Sequence, residues 1–260
     1  MTQPSAHFLT TLTHGKKDPD SAAVPPPIRE LRKMTDKQRK TATGNETIWV
    51  IGGGQFGRRA VDLLKKDAAA GRIIVVDNLP DHKLPDGVKF VCADGVEWLS
   101  EHLTTDAAVD KIIPALPVHL AAEWVKKKLL DDGRIVHSPQ ILDEQLRHFP
   151  HPLRIDSARV VMSHADFICP PNCAEPDARC THTGKKRPLS LYRLLAALVI
   201  NDFVPRIIRS RQFHFGVGGF FPQDLWHLLE SVRSLPDTPL LIGTACKCHG
   251  VVDGLRHSLA

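Results

Sequence analysis

Ile48-Trp49-Val50-Ile51-Gly52-Gly53-Gly54-Gln55-Phe56-Gly57-Arg58-Arg59-Ala60 is the stretch that decides the fold. Its first four residues form an apolar run of the kind that makes a buried strand. The spacing G-x-G-x-x-G follows at once as Gly52, Gly54 and Gly57. A helix is then predicted from Arg58 to about Ala69, with Phe56, Ala60, Leu63 and Leu64 on one face. Each glycine has its own task. The first makes the tight turn, the second lets a pyrophosphate approach the backbone, and the third lets helix and strand pack closely. Glycines also mark plain turns, so the context carries the weight. Ile73–Val76 reads as a second strand, and Asp77 ends it 20 residues after Gly57, where a carboxylate can bind ribose hydroxyls. The cofactor-binding expectation covers Gly52, Gly54, Gln55, Phe56, Gly57, Asp77 and Asn78. Asp77 followed by Asn78 rather than Arg favours NAD(H), while Arg58 and Arg59 keep NADP open.

Outward from this core, the chain keeps alternating. Lys89–Cys92 reads as a third strand ending in Asp94, followed by a helix through Val96, Leu99 and Leu103. Lys111–Ala115 is a fourth strand, His119–Leu130 its helix, and Arg134–His137 a fifth strand. Such alternation calls for a parallel sheet with both faces covered. Beyond it, Ala158–Phe167 is strand-like and runs into a loop at 168–188. A long helix is predicted over roughly Ser190–Arg209, a strand at Gln212–Val217, a helix at Pro222–Val232 and a strand at Leu240–Thr244. The expected fold class is α/β: a Rossmann-like parallel sheet with helices on both faces, plus a smaller cysteine-bearing α/β portion. The expected domains are a tail at 1–45, a dinucleotide-binding domain at 46–150 and a cysteine-rich domain at 151–260.

Val50 to Ala60, then Val75-Val76-Asp77, then Val91-Cys92-Ala93-Asp94 ahead of a helix, resemble the TrkA-type NAD-binding domain, also called the RCK N-terminal domain, of potassium-transport regulators. The resemblance covers residues 46–136. It implies a Rossmann fold, NAD(H) binding, a regulatory role toward a membrane transporter, and a place for Asp94 near the adenine side of the nucleotide. Pro114-Ala115-Leu116-Pro117-Val118-His119 looks more like saccharopine-dehydrogenase-type domains.

With 42% hydrophobic and 24% charged residues among 260, collagen-like, coiled-coil and wholly disordered classes are excluded. The net charge of +5 is concentrated at one end, since residues 1–45 carry 8 Lys/Arg against 4 Asp/Glu. That stretch, with Pro25-Pro26-Pro27 and Phe8 as its single aromatic, is expected to be a flexible basic tail. The remainder is nearly neutral, so no specific nucleic-acid partner is expected. The longest apolar run, Leu194–Ile200, is too short to span a bilayer. Met1–His14 has no secretory signal pattern, so a cytoplasmic location is expected.

Of the 6 cysteines, Cys92 lies in a predicted strand and reads as a small core residue. The others fall in two groups. Cys169, Cys173 and Cys180 share one loop, with His182 beside the last. Cys246 and Cys248 follow roughly 65 residues later in Cys246-Lys247-Cys248-His249. In a reducing compartment, soft thiolates clustered in this way read as metal ligands. A [4Fe–4S] cluster or zinc is expected, with either Cys246 or Cys248 completing the set. A Cys246/Cys248 redox dithiol is the smaller alternative. Both cysteine loops, the glycine loop and Gly216–Gly219 follow predicted strands, so nucleotide and metal are expected to approach one another at a shared carboxyl edge. Lys185-Lys186-Arg187 and Arg206, Arg209 and Arg211 read as a solvated basic face. His119, His137, His214 and His227 lack companions and are assigned to surface or core. There is no G-x-S-x-G nucleophile pattern, and Tyr192 is the single tyrosine.

The functional expectation is an NAD(H)-binding protein with a cysteine-ligated metal or iron–sulfur centre that senses nucleotide or redox state for a partner protein. The alternative is an NAD(P)-dependent oxidoreductase that exchanges electrons between nicotinamide and the centre or a small substrate.

Overall fold

The computed structural model describes residues 46–66, 70–79, 84–200 and 202–260. The expected basic tail at 1–45 lies outside the described residues. The first sheet is parallel and built from β1 (Glu46–Ile51), β2 (Ala70–Asp77), β3 (Lys89–Cys92) and β4 (Lys111–Pro114), in the order β3-β2-β1-β4. Its helices are α1 (Gln55–Leu64), α2 (Gly95–His102) and α3 (Leu120–Asp131). The side chains of β1 alternate between two cores. Ile48 and Val50 meet Ala60, Val61 and Leu64 of α1, while Trp49 and Ile51 join the cluster containing Trp98 of α2 and Trp124 of α3. A strand apolar on both faces is what helices on both sides of a parallel sheet require.

The fifth expected strand leaves this sheet. β5 (Ile135–His137) pairs antiparallel with the last strand of the chain, β12. Between them lie α4 (Asp143–Leu146), β6 (Leu153–Arg154), β7 (Arg159–Ser163), α5 (Leu191–Ala196), β8 (Val204–Arg209), β9 (Arg211–His214), β10 (Val217–Gly219), α6 (Pro222–Arg233), β11 (Leu240–Ala245) and β12 itself (His249–Ser258). The second sheet runs β6-β7-β12-β11-β8, with β11 and β8 parallel and the other neighbours antiparallel. The hairpin β9–β10 reaches the outer edge of β4 through paired backbone hydrogen bonds between Ile112 and Phe220.

Two expectations change here. The long helix at 190–209 is instead the short helix α5 followed by strand β8. Asp202 takes a left-handed φ of 69°, and Pro205 cannot donate inside a helix. Val204, Ile207 and Ile208 are β-branched and favour the strand, and Pro205 is tolerated because β8 lies at the edge of its sheet. Cys92 is exposed rather than buried. It ends β3, the edge strand, at the carboxyl end of the parallel sheet and opposite Asp77. Among the described residues, one apolar cluster runs from Trp49 to Leu255 and so draws on side chains from both sides of residue 150.

Candidate functional site

The glycine loop leaves β1 as the spacing requires. Gly52 has a left-handed φ of 114° and donates its N–H to Val76 O at 2.7 Å. A Cβ there would stand 2.6 Å from the Ala115 carbonyl. At Gly57 a Cβ would lie 1.9 Å from Gly52 O, so helix and loop touch backbone to backbone. Gly54 is different, because nothing lies within 4 Å of its Cβ direction. It is the N-cap of α1, a helix with no acidic residue in its first turn and no side-chain cap. Open space in front of uncapped amide donors is what an approaching anion needs.

Asp77 is buried, and its two oxygens brace the loop by accepting the N–H of Gly53 at 2.5 Å and of Leu79 at 2.8 Å. Asn78 follows it on the surface, its carbonyl 3.8 Å from Cys92 Sγ. Asp94 caps α2, accepting the N–H of Val96 and of Glu97 at 2.9 Å each. Gln55 and Phe56 open α1, and the Phe56 ring is 76% exposed.

That ring faces a cavity of about 630 Å³, which is also lined by Cys169, Cys173, Cys180, Cys246 and Cys248. All five cysteines singled out in the sequence therefore meet in one place, next to the glycine-loop helix. The loop carrying Cys169 and Cys173 is fastened there by its carbonyls. Arg59 Nη2 of α1 donates to Pro171 O at 2.5 Å, and Gln212 Nε2 of β9 donates to Cys173 O at 2.7 Å. Gly216, with a left-handed φ of 72°, lets Pro171 O pass so close that a Cβ would sit 1.8 Å from it.

The thiols are held differently. Burial and the adjacent Glu175 push the Cys246 thiol up to about 12. Burial also raises Cys169, with the sulfurs of Cys248, Cys173 and Cys180 nearby adding to the effect. Burial raises Cys248 too, against the Arg187 guanidinium that contacts its sulfur. Cys180 goes the other way. The amide and hydroxyl of Thr183 and the amide of His182 donate to its sulfur and hold the thiol low. All are free thiols. Among the described residues, no three His, Cys, Asp or Glu side chains are already arranged around a single ion position.

A second polar constellation has no counterpart in the sequence reading. His119, assigned to surface or core, is buried and pairs through Nδ1 with Asp253 Oδ2 at 2.6 Å and through Nε2 with Thr244 Oγ1 at 2.8 Å. Arg159 Nε donates to Asp253 Oδ1 at 2.9 Å, and its Nη2 reaches Glu123 at 2.5 Å. The network joins α3 to β7, β11 and β12. Its one visible signal is Asp253 itself, a lone carboxylate in the apolar run Val251-Val252-Asp253-Gly254-Leu255.

Fold and site together define an α/β protein in which a Rossmann-type glycine loop abuts a cysteine-lined cavity. Residues 121–258 match the family AF_1314_C, described as "Uncharacterized protein, C-terminal domain", and the chain belongs to that family. It is also similar to an uncharacterized protein of Archaeoglobus fulgidus, 25% identical over 224 residues that span 80% of this chain and 99% of the relative. No solved structure matches the chain. No helix among the described residues is long and apolar enough to cross a membrane.

Proposed function

We propose that the chain binds NAD(H) on the glycine loop, holds a cysteine-ligated metal or iron–sulfur centre in the adjacent cavity, and senses nucleotide or redox state by linking the two. The observation that carries this reading is the bond from Arg59, on the helix whose N-terminus would face the pyrophosphate, to the carbonyl of Pro171 between Cys169 and Cys173. The residues fit both groups. Gly54 leaves an open cradle at an uncapped helix end, and soft thiols of this kind suit zinc or iron. Gly52, Gly54 and Gly57 with the amides of α1 would hold the pyrophosphate, and Asp77 and Asn78 would stand toward the ribose. Bound NAD(H) would supply hydride chemistry, and the cysteine centre would supply electron or Lewis-acid chemistry. The TrkA-type resemblance points to a protein partner, such as a membrane transporter, as the receiver of the signal.

An oxidoreductase reading is favoured by one further feature. The cavity keeps room beside the cysteines, and Lys185 and Lys186 line it, which suits an anionic substrate. NADH oxidation with an artificial acceptor separates the two readings: turnover favours the enzyme, and tight NADH binding without turnover favours the sensor.

Three results are expected. Gly54→Ala should fold with an unchanged Tm, because its Cβ meets nothing, yet lose at least about tenfold in NADH affinity by fluorescence titration. Unchanged affinity would falsify the nucleotide assignment. Gly57→Ala should instead lower Tm, since its Cβ collides with Gly52 O. Anaerobically purified protein should carry bound metal by elemental analysis, and a brown chromophore would identify an iron–sulfur cluster whereas colourless protein with stoichiometric zinc would exclude it.

A further inference from the structure

The turn from β11 to β12 is Cys246-Lys247-Cys248-His249, closed by the Cys246 N–H donating to His249 O at 2.9 Å. The Cys246 sulfur sits inside this turn. It accepts the amide N–H of Cys248 at 3.3 Å and of His249 at 3.2 Å. Amides aimed at a sulfur stabilise its thiolate form and fix its direction, which is the outer support that metal-bound thiolates use. The same turn brings His249 Nδ1 to 3.8 Å from that sulfur. Two ligands of one tetrahedral zinc, with Zn–S of about 2.3 Å and Zn–N of about 2.0–2.1 Å, stand about 3.6 Å apart. The pair is therefore within a few tenths of an ångström of the separation that a shared ion demands. Both residues line the cysteine cavity. Cys248 is committed elsewhere, its sulfur receiving the guanidinium of Arg187.

We propose that Cys246 Sγ and His249 Nδ1 are the hairpin's two ligands for a four-coordinate zinc-class ion, with thiols of the 169–180 loop completing the set from across the cavity. The inference rests on the reading of this cavity as a metal site and narrows it. A mixed sulfur–nitrogen donor set suits zinc, whereas a [4Fe–4S] cluster calls for four thiolates. It also settles the choice within the pair: Cys246 is the ligand, and the histidine stands where a second cysteine was sought.

The test is cobalt(II) titration of the full-length, reduced, chelator-stripped protein, read by d–d and sulfur-to-cobalt charge-transfer absorption. The wild type is expected to bind one ion per chain. His249→Gln should weaken binding by tenfold or more, and Cys246→Ser by more. Cys92→Ser, outside the cavity, should bind like the wild type. His249→Cys should keep the ion and gain charge-transfer intensity, which shows that a weakened His249→Gln has lost a ligand and not its fold. If His249→Gln binds cobalt as tightly as the wild type with the same spectrum, the 3.8 Å approach is a plain S–H···N contact and the inference is overturned while the metal reading survives. If the wild type binds no cobalt and carries no metal as isolated, both fall.

Discussion

Asp253→Ala is expected to destabilise the fold by about 3–5 kcal/mol, the usual cost of removing one partner from a buried charged pair. For a compact unit of this size that corresponds to a drop in Tm of roughly 10 °C. Asp253 is 2% exposed and accepts from both His119 and Arg159, so truncation leaves the buried His119 Nδ1 without its carboxylate and leaves the half-buried Arg159 with Glu123 alone. The network is also the polar seam of the core shared by the two sheets. Through His119 and Glu123 it holds α3, and through Asp253 and Arg159 it holds β12 and β7. Burial alone would raise the Asp253 carboxyl, but hydrogen bonding and attraction from His119 and Arg159 outweigh it and hold it below the ordinary range. A depressed carboxyl stabilises the fold above its unfolded value of about 3.9, and that contribution is lost as pH falls through the lower folded value. Wild-type urea midpoints should therefore decline below about pH 4 more steeply than those of Asp253→Asn. An unfolding free energy for Asp253→Ala within about 1 kcal/mol of wild type would mean that the seam is only a satisfied contact, without a share in joining the halves.

The parallel sheet was legible because its signals are local. A four-residue apolar strand, three glycines in fixed spacing and an acid at the next strand's end are all read within 30 residues, and the observed β1, α1 and β2 follow them. The second sheet was less so, because what decides it is non-local. β12 is its central strand, yet Val251 to Ser258 includes Asp253, Arg256 and His257, which mask the apolar alternation. Asp253 and His257 are buried only because partners come from the start of α3, from β7 and from α6, more than 20 residues away in each case, while Arg256 between them is exposed. The five cysteines could be gathered from clustering alone, whereas His249 could not. A histidine beside cysteines is uninformative until the turn shows which of its atoms faces which sulfur. Asp77 and Asp94 sit at the expected edge, but their first partners are amides of their own loops, a role that spacing does not announce.

Gly216→Ala is expected to abolish metal retention while leaving the parallel sheet folded. Two costs act at this position and can be separated. The first is backbone strain, because a non-glycine residue at φ of 72° costs about 1–3 kcal/mol. Gly133, at φ of 75° with nothing within 4 Å of its Cβ, carries that cost alone, so Gly133→Ala is the control. The second is displacement, because at Gly216 the added carbon would lie 1.8 Å from Pro171 O, a backbone atom that cannot rotate away. The loop must move, and it moves off Arg59, whose Nη2 lies 3.4 Å from the same Cβ position and bonds the same carbonyl. Cys169 and Cys173 then leave the sulfurs across the cavity. The expected pattern is a fall in Tm for both variants that is larger in Gly216→Ala, full metal content in Gly133→Ala, and metal loss with faster amide deuterium exchange over residues 168–173 in Gly216→Ala. Equal metal content in the two would show that the cysteine loop holds its place without Gly216, and would remove the mechanical route by which α1 is proposed to report nucleotide binding to the centre.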